Sequence, residues 1–317
     1  MNTTYFDNFR QHLSQHVIGQ HKFINSMLIG LLSDGHILVE GMPGLAKTTA
    51  VKSLAEAIEG DFHRIQFTPD LLPADLIGTD IYQHERGKFE FRAGPLFHNI
   101  LLADEINRSP PKVQSALLEA MGERQITVGQ HTYKLPDLFM VLATQNPVEH
   151  EGTYTLPEAQ LDRFLLYVKV DYPTKQEELQ IVELMEKNFS VSDEVTIQLG
   201  KAEIQAAREE VMQLYLDPKL KEYIIDIVQA SRYPAKFDND LKRWQRFGAS
   251  PRASIALSRC SRALAWLQGE QYVSPEHIQA VAPDILRHRI LLSFEAEAEG
   301  ITTEDFIQKL LQVVAIP

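Results

Sequence analysis

Residues 41–49 read Gly-Met-Pro-Gly-Leu-Ala-Lys-Thr-Thr, a stretch whose residue types suit the handling of phosphate. A loop carrying Gly41 and Gly44, followed by a helix that opens on Lys47 and Thr48, would turn backbone N–H groups inward. The helix N-terminus adds its partial positive charge. In such a cradle Lys47 reaches the β- and γ-phosphates and the Thr48 hydroxyl holds Mg²⁺. Gly41, Pro43, Gly44, Leu45, Ala46, Lys47, Thr48 and Thr49 are therefore the expected nucleotide contacts. The strict GxxxxGK(S/T) pattern wants glycine where this chain has Ala46. Gly44 can supply the tight turn, and alanine allows close backbone approach at negative φ. The plainer alternative is a strand-to-helix loop that happens to carry a lysine.

A second group of reactive side chains follows where the first requires it. Ile100-Leu101-Leu102-Ala103 is an apolar run ending in Asp104 and Glu105. Asp104 would hold the Mg²⁺ shell through water, and Glu105 would orient and polarise the water that attacks the γ-phosphate. Acids at a strand end often just cap the next helix. Fifty-odd residues after a phosphate loop, the pair instead predicts ATP binding with hydrolysis.

Both groups need strands and helices to hold them. Apolar runs predict strands at Ile37–Glu40, Phe62–Phe67, Ile100–Ala103, Phe139–Thr144 and Phe164–Val170, with helices near Asn8–His16, His21–Leu32, Thr48–Ala57 and Pro111–Met121. Strands alternating with helices predict a mainly parallel sheet covered on both faces. Two short β-hairpins are expected as insertions. One pairs residues 80–83 with 88–92, and the other pairs 125–128 with 131–134. Strand signals stop after Pro173, and Ser274-Pro275-Glu276 is a clear helix start. The expected organisation is an α/β nucleotide-binding core at 1–173 followed by an all-α region at 174–317.

The 317 residues are 44% hydrophobic and 23% charged, enough for a full core and without an apolar stretch of membrane-spanning length. The N-terminus lacks the basic and apolar regions of a signal peptide, and the lone Cys260 excludes an intrachain disulfide, so a cytoplasmic location is expected. Residues 1–173 carry 14 Lys and Arg against 21 Asp and Glu, and residues 174–317 carry 17 against 22. With both halves acidic, no broad basic face is expected for nucleic acid. His12 and His16 share a helical face but lack a third metal ligand at useful spacing.

These residues together resemble the MoxR family of AAA+ ATPases over nearly the whole chain. The likeness rests on the 41–48 loop, on Ala103-Asp104-Glu105-Ile106-Asn107-Arg108 and on Ala116-Leu117-Leu118-Glu119-Ala120-Met121. Ala143-Thr144-Gln145-Asn146-Pro147 and the run from Leu156 to Phe164 complete it. The resemblance implies an AAA+ core with an all-α lid, a homo-hexamer, and a partner protein bearing a von Willebrand factor A domain. It implies that Asn146 is the first sensor, helping to hold the attacking water, although Asn-Pro could simply begin a turn. Arg163 matches the arginine finger that one subunit gives to the next, and a salt bridge to Asp162 is the plainer reading. Arg252 matches the second sensor. It sits in the first turn of a helix, where the dipole disfavours a cation, so a ligand is expected there. Arg108 and Arg124 are further candidates at the same boundary. Gly19, in Val17-Ile18-Gly19-Gln20, would allow close approach to the adenine ring.

The site expected within one subunit has no γ-phosphate cation beyond Lys47 and Arg252. Two other readings compete with a chaperone-like remodeller. A nucleic-acid motor would share the inserted hairpins, and the acidic halves argue against it. A nucleotide-dependent scaffold without turnover is opposed by Asp104, Glu105, Asn146 and Arg163 all being present. Tyr82, Phe89 and Phe91 are either hairpin core or, if the hairpin faces a ring channel, a grip on polypeptide.

Overall fold

The computed structural model describes residues 4–42, 47–85, 87–146, 153–187 and 199–317. Pro43, Gly44, Leu45 and Ala46 lie outside the described residues. Five strands form one parallel sheet in the order Phe62–Gln66, Ile100–Asp104, Met140–Gln145, Ile37–Gly41, Leu166–Val170. The expected strands are all present, with ends shifted by one or two residues.

Alternation along each strand splits the core in two. Ile37, Val39, Ile100, Leu102, Met140 and Leu142 face one cluster. Leu38, Leu101, Ala103, Val141 and Ala143 face the other, with Val113, Leu117 and Met121 of the helix Pro111–Glu123 packed over them. Both hydrophobic faces thus need a covering layer, which explains why the strands read as continuous apolar runs.

The first cluster continues into the C-terminal helices, where Val211, Ile227, Trp266, Leu286 and Phe306 are buried. Phe6 of the N-terminal helix Thr4–His16 meets Trp266 edge-on at 5.1 Å. Arg287, capping the helix Pro275–Leu286, donates to the backbone oxygen of Tyr167 and pairs with Asp284 at 2.6 Å and Glu304 at 2.8 Å. The lid is therefore joined to the last sheet strand by apolar packing and by a buried guanidinium paired with two carboxylates. Cys260 is buried, and burial pushes its thiol up to about 12, which suits a packing residue.

One expectation needs correction. Strands do not stop at Pro173, because Gln245–Phe247 pairs antiparallel with Leu291–Leu292. Segments this short carry no readable alternation. Both inserted hairpins are present, at Gly78–Gln83 with Lys88–Ala93 and at Gln125–Val128 with His131–Lys134. Phe91 and Tyr133 stack between them at 4.1 Å, so Phe91 is hairpin packing, while Tyr82 and Phe89 remain exposed.

Candidate active site

In a parallel sheet every strand ends on the same edge, and ligands of open α/β sheets bind outside that carboxyl edge. Here the edge collects Gly41, Asp104 and Gln145, with Asn146 one residue beyond. The strand leading to Asn146 lies between those that end in Gly41 and Asp104. The polar groups the sequence singled out thus converge because of strand order.

Lys47 is the first residue of the helix Lys47–Glu56, and its ammonium donates back to the Gly41 carbonyl oxygen. Burial lowers its pKa below the ordinary lysine value, while Asp104, Glu105 and Glu40 oppose that shift. A phosphate chain would supply the missing negative charge. Thr48 is half-buried and Thr49 exposed in the same first turn. Gly19 has φ +78°, and a Cβ there would lie 2.9 Å from Glu177 Cδ, so the turn accepts only glycine readily.

The two acids are held by different means. Asp104 accepts from Thr144 Oγ1 at 2.6 Å and from Arg64 at 2.6 and 3.1 Å. Glu105 adopts left-handed backbone geometry, φ 56° and ψ 51°, which is uncommon for a residue with a side chain. Its N–H donates to the same Thr144 oxygen at 2.9 Å. Its carboxylate accepts from Gln66 at 2.7 Å and Arg108 at 2.9 Å. The oxygen donors Thr48 and Asp104 suit a hard cation such as Mg²⁺. One oxygen of Asp104 is engaged by Arg64, so loading the metal requires Arg64 to yield that lone pair or share the carboxylate.

Thr144 is the hub of this arrangement, and its role was not legible in the chain. Thr144→Val keeps the shape but removes the hydroxyl. It is expected to cost about 1–3 kcal/mol, because the Glu105 N–H loses its acceptor. Turnover should fall with it, and Thr144→Ser should restore both. Urea denaturation and steady-state ATPase rates check this; unchanged values in the valine variant would remove Thr144 from the site.

Other members were also missed. Glu40 accepts from the Tyr167 hydroxyl and from Gln145 at 2.9 Å. Burial and Glu40 together push the Tyr167 pKa far above the ordinary tyrosine value, so the phenol stays protonated. Arg64 adds a cation beside Asp104, held there by the carboxylate itself. No sequence motif marks these residues. Strand pairing alone sets Glu40 beside Gln145.

The arginines are divided between two edges. Arg163 precedes the strand Leu166–Val170, and Gly35 and His36 precede Ile37–Gly41, so all three sit at the amino edge of the sheet. There Arg163 and Arg252 line one cavity of about 250 Å³ together with Gly35 and His36. Five residues of strand separate this edge from Gly41, about 16 Å at 3.3 Å per residue. Arg252 therefore does not join Lys47 within one chain, contrary to the single-subunit site expected from sequence. The cause is the lid: its helix Pro251–Leu267 is seated with its start over the amino edge, where Ser250 Oγ donates to Asp162 at 2.8 Å. Asp162 also pairs with the buried Arg289 at 2.7 Å, and Arg163 instead donates to the Leu118 carbonyl oxygen at 2.6 Å. Of the two further candidates, Arg108 stays with Glu105 at the carboxyl edge, and Arg124 pairs with Asp34 at the amino edge, 2.7 Å away.

A parallel sheet of this strand order, with a phosphate-loop lysine after one strand, paired acids after another and a helical lid, defines a AAA-type ATPase. Comparison with known proteins gives the same class. Residues 36–166 match the model of the ATPase family associated with various cellular activities (AAA), and residues 242–310 match the AAA lid domain. The chaperone MoxR1 of Mycobacterium tuberculosis is 46% identical over 302 residues, covering 95% of this chain and 79% of that protein. The protein MoxR of Paracoccus denitrificans is 34% identical over 304 residues, covering 90% of this chain and 88% of the relative. A candidate ATPase of Cytophaga hutchinsonii, known from its crystal structure, is 47% identical with a TM-score of 0.91, covering 99% of this chain and 96% of that one. The chain belongs to the MoxR family of AAA+ ATPases. Among the described residues no helix is long and apolar enough to cross a membrane.

Proposed function

We propose that this ATPase works as a ring of identical subunits and uses Mg²⁺-dependent ATP hydrolysis to remodel partner proteins. The observation that carries the ring is the separation of the arginines from the acids. Each chain holds Lys47, Asp104 and Glu105 at one edge of its sheet and Arg163 with Arg252 at the other. Such a chain carries two halves of a phosphate site, which meet only when the amino edge of one copy faces the carboxyl edge of the next.

In this reading residues 41–49 cradle the phosphates, with Lys47 on the β- and γ-oxygens, and Gly19 lies near the adenine. Thr48 and Asp104 hold Mg²⁺, which when bound neutralises charge on the phosphate oxygens. Glu105 orients the attacking water and takes its proton, and Asn146 helps to fix that water. Arg163 and Arg252 of a second copy stabilise the charge on the transferring phosphoryl group. We place the core at 1–173 and the helical region at 174–317. Arg287 ties the two, so a nucleotide-driven shift at the sheet edge reaches the lid. The chaperone relative supports a protein partner. The family resemblance implies that it bears a von Willebrand factor A domain and that the ring is a hexamer, and the cytoplasm is the location we propose from the N-terminal composition and the lone cysteine.

Chelating the metal tests the chemistry. Turnover by the purified full-length chain should fall to background in excess EDTA and return on adding Mg²⁺, while light scattering should report a multi-subunit mass with ATP. Turnover that persists in EDTA, or full activity from a monomer, defeats the scheme.

A further inference from the structure

The cavity at the amino edge holds more positive charge than Arg163 and Arg252 supply. Five arginines line it, Arg124, Arg163, Arg252, Arg259 and Arg289, against Asp34 and Asp162. Arg289 is neutralised by Asp162 and Arg124 by Asp34, each at 2.7 Å. Asp34 is also shared with Arg208 at 2.8 Å. His36 lies behind the cavity and is neutral, because burial pushes its pKa down to about 4. It accepts from the Val141 N–H at 3.0 Å. Three guanidiniums are left uncompensated. Arg163 spends one N–H on Leu118, and the side chains of Arg252 and Arg259 have no hydrogen bond or ion pair among the described residues.

Arg252 and Arg259 belong to one face of the helix Pro251–Leu267. Residues 252, 255, 256 and 259 follow helical spacing, and all four line the cavity. Two turns separate the arginines, about 10 Å along the axis, and long side chains can close that span onto one extended anion. Ile255, between them, is 54% exposed. Unpaired arginines flanking an exposed isoleucine suit a surface that a partner covers, since interface cores favour arginine over lysine and need apolar contact to exclude water. At about 250 Å³ the cavity is below the range of drug-sized sites, about 300–1,000 Å³, so it fits a phosphate chain better than a whole nucleotide.

We propose that Arg259 is a third arginine which this cavity delivers, beside Arg163 and Arg252, to the phosphate chain of ATP held by a neighbouring copy. The proposal rests on the shared-site reading above. The planar guanidinium binds phosphate oxygens through two parallel N–H groups, so Arg259→Lys should keep only part of the effect.

The test uses full-length variants. Arg259→Ala should lose at least tenfold in turnover while its affinity for a fluorescent ATP analogue and its assembled mass stay unchanged. Mixed with Lys47→Ala subunits, which retain an intact amino edge, it should regain activity. The same mixture made with Arg163→Ala is the reference. Recovery with Arg163→Ala but not with Arg259→Ala overturns the role of Arg259 alone. Recovery in neither mixture defeats the shared site, and the proposal with it. Unchanged turnover of Arg259→Ala, or loss of the assembled mass, also overturns it, the latter showing an assembly contact instead.

Discussion

Glu105→Gln is expected to lower turnover by about 10²–10⁴-fold, the usual worth of a positioned general base, while ATP stays bound. The substitution keeps the side-chain length and leaves an oxygen to accept from Gln66 and Arg108, as Glu105 does at 2.7 and 2.9 Å. It removes the group able to take a proton. The backbone contact to Thr144 is untouched, so the left-handed turn and the Asp104 carboxylate stay in place. Binding is spared because Lys47 and Thr48 belong to a different segment, the start of the helix Lys47–Glu56. Single-turnover hydrolysis and equilibrium binding of a labelled nucleotide separate the two effects. A variant that hydrolyses at the parent rate would take Glu105 out of the chemistry, and one that no longer binds would make it a structural residue.

Arg163→Ala is expected to cost the most, about 10³–10⁵ in turnover, as loss of an arginine finger does in related phosphoryl-transfer enzymes. ATP should still bind to each variant subunit, since Arg163 lies at the sheet edge opposite Lys47. Arg163 crosses the helix Pro111–Glu123 where that helix has no side chain, because a Cβ at Gly122 would lie 2.3 Å from its guanidinium nitrogen. Gly122→Ala should therefore deflect Arg163 and lower turnover without loss of folding, because the displaced group is the end of a flexible side chain. ATPase rates and thermal melts of both variants check this. Hydrolysis by Arg163→Ala at the parent rate would show that no neighbour needs this residue.

Much of the carboxyl edge is legible in the amino-acid sequence. Lys47 and Thr48 follow a strand within a few residues, and Asp104 with Glu105 directly ends one. Local spacing carries their chemistry. The hairpin at Gln125–Val128 and His131–Lys134 is equally plain, since it turns at Gly129-Gln130 with φ +59° at Gly129. Less is visible where contacts join distant segments. Thr144, Gln66, Arg64, Glu40 and Tyr167 meet Asp104, Glu105 or Gln145 only through strand order and register.

The chain by itself determined the kind of chemistry and the elements that support it. Each motif is a short run whose glycine, lysine, hydroxyl or acid acts at one strand end, and apolar period and helix caps need no distant partner to be recognised. Only the tertiary structure decided which charges share a space. Arg163 and Arg252 are 89 residues apart in the chain. They meet because the last sheet strand begins at the amino edge and the lid helix is packed over it. Strand direction and lid packing are properties of the whole core, fixed by burying both sheet faces, and no local pattern encodes them.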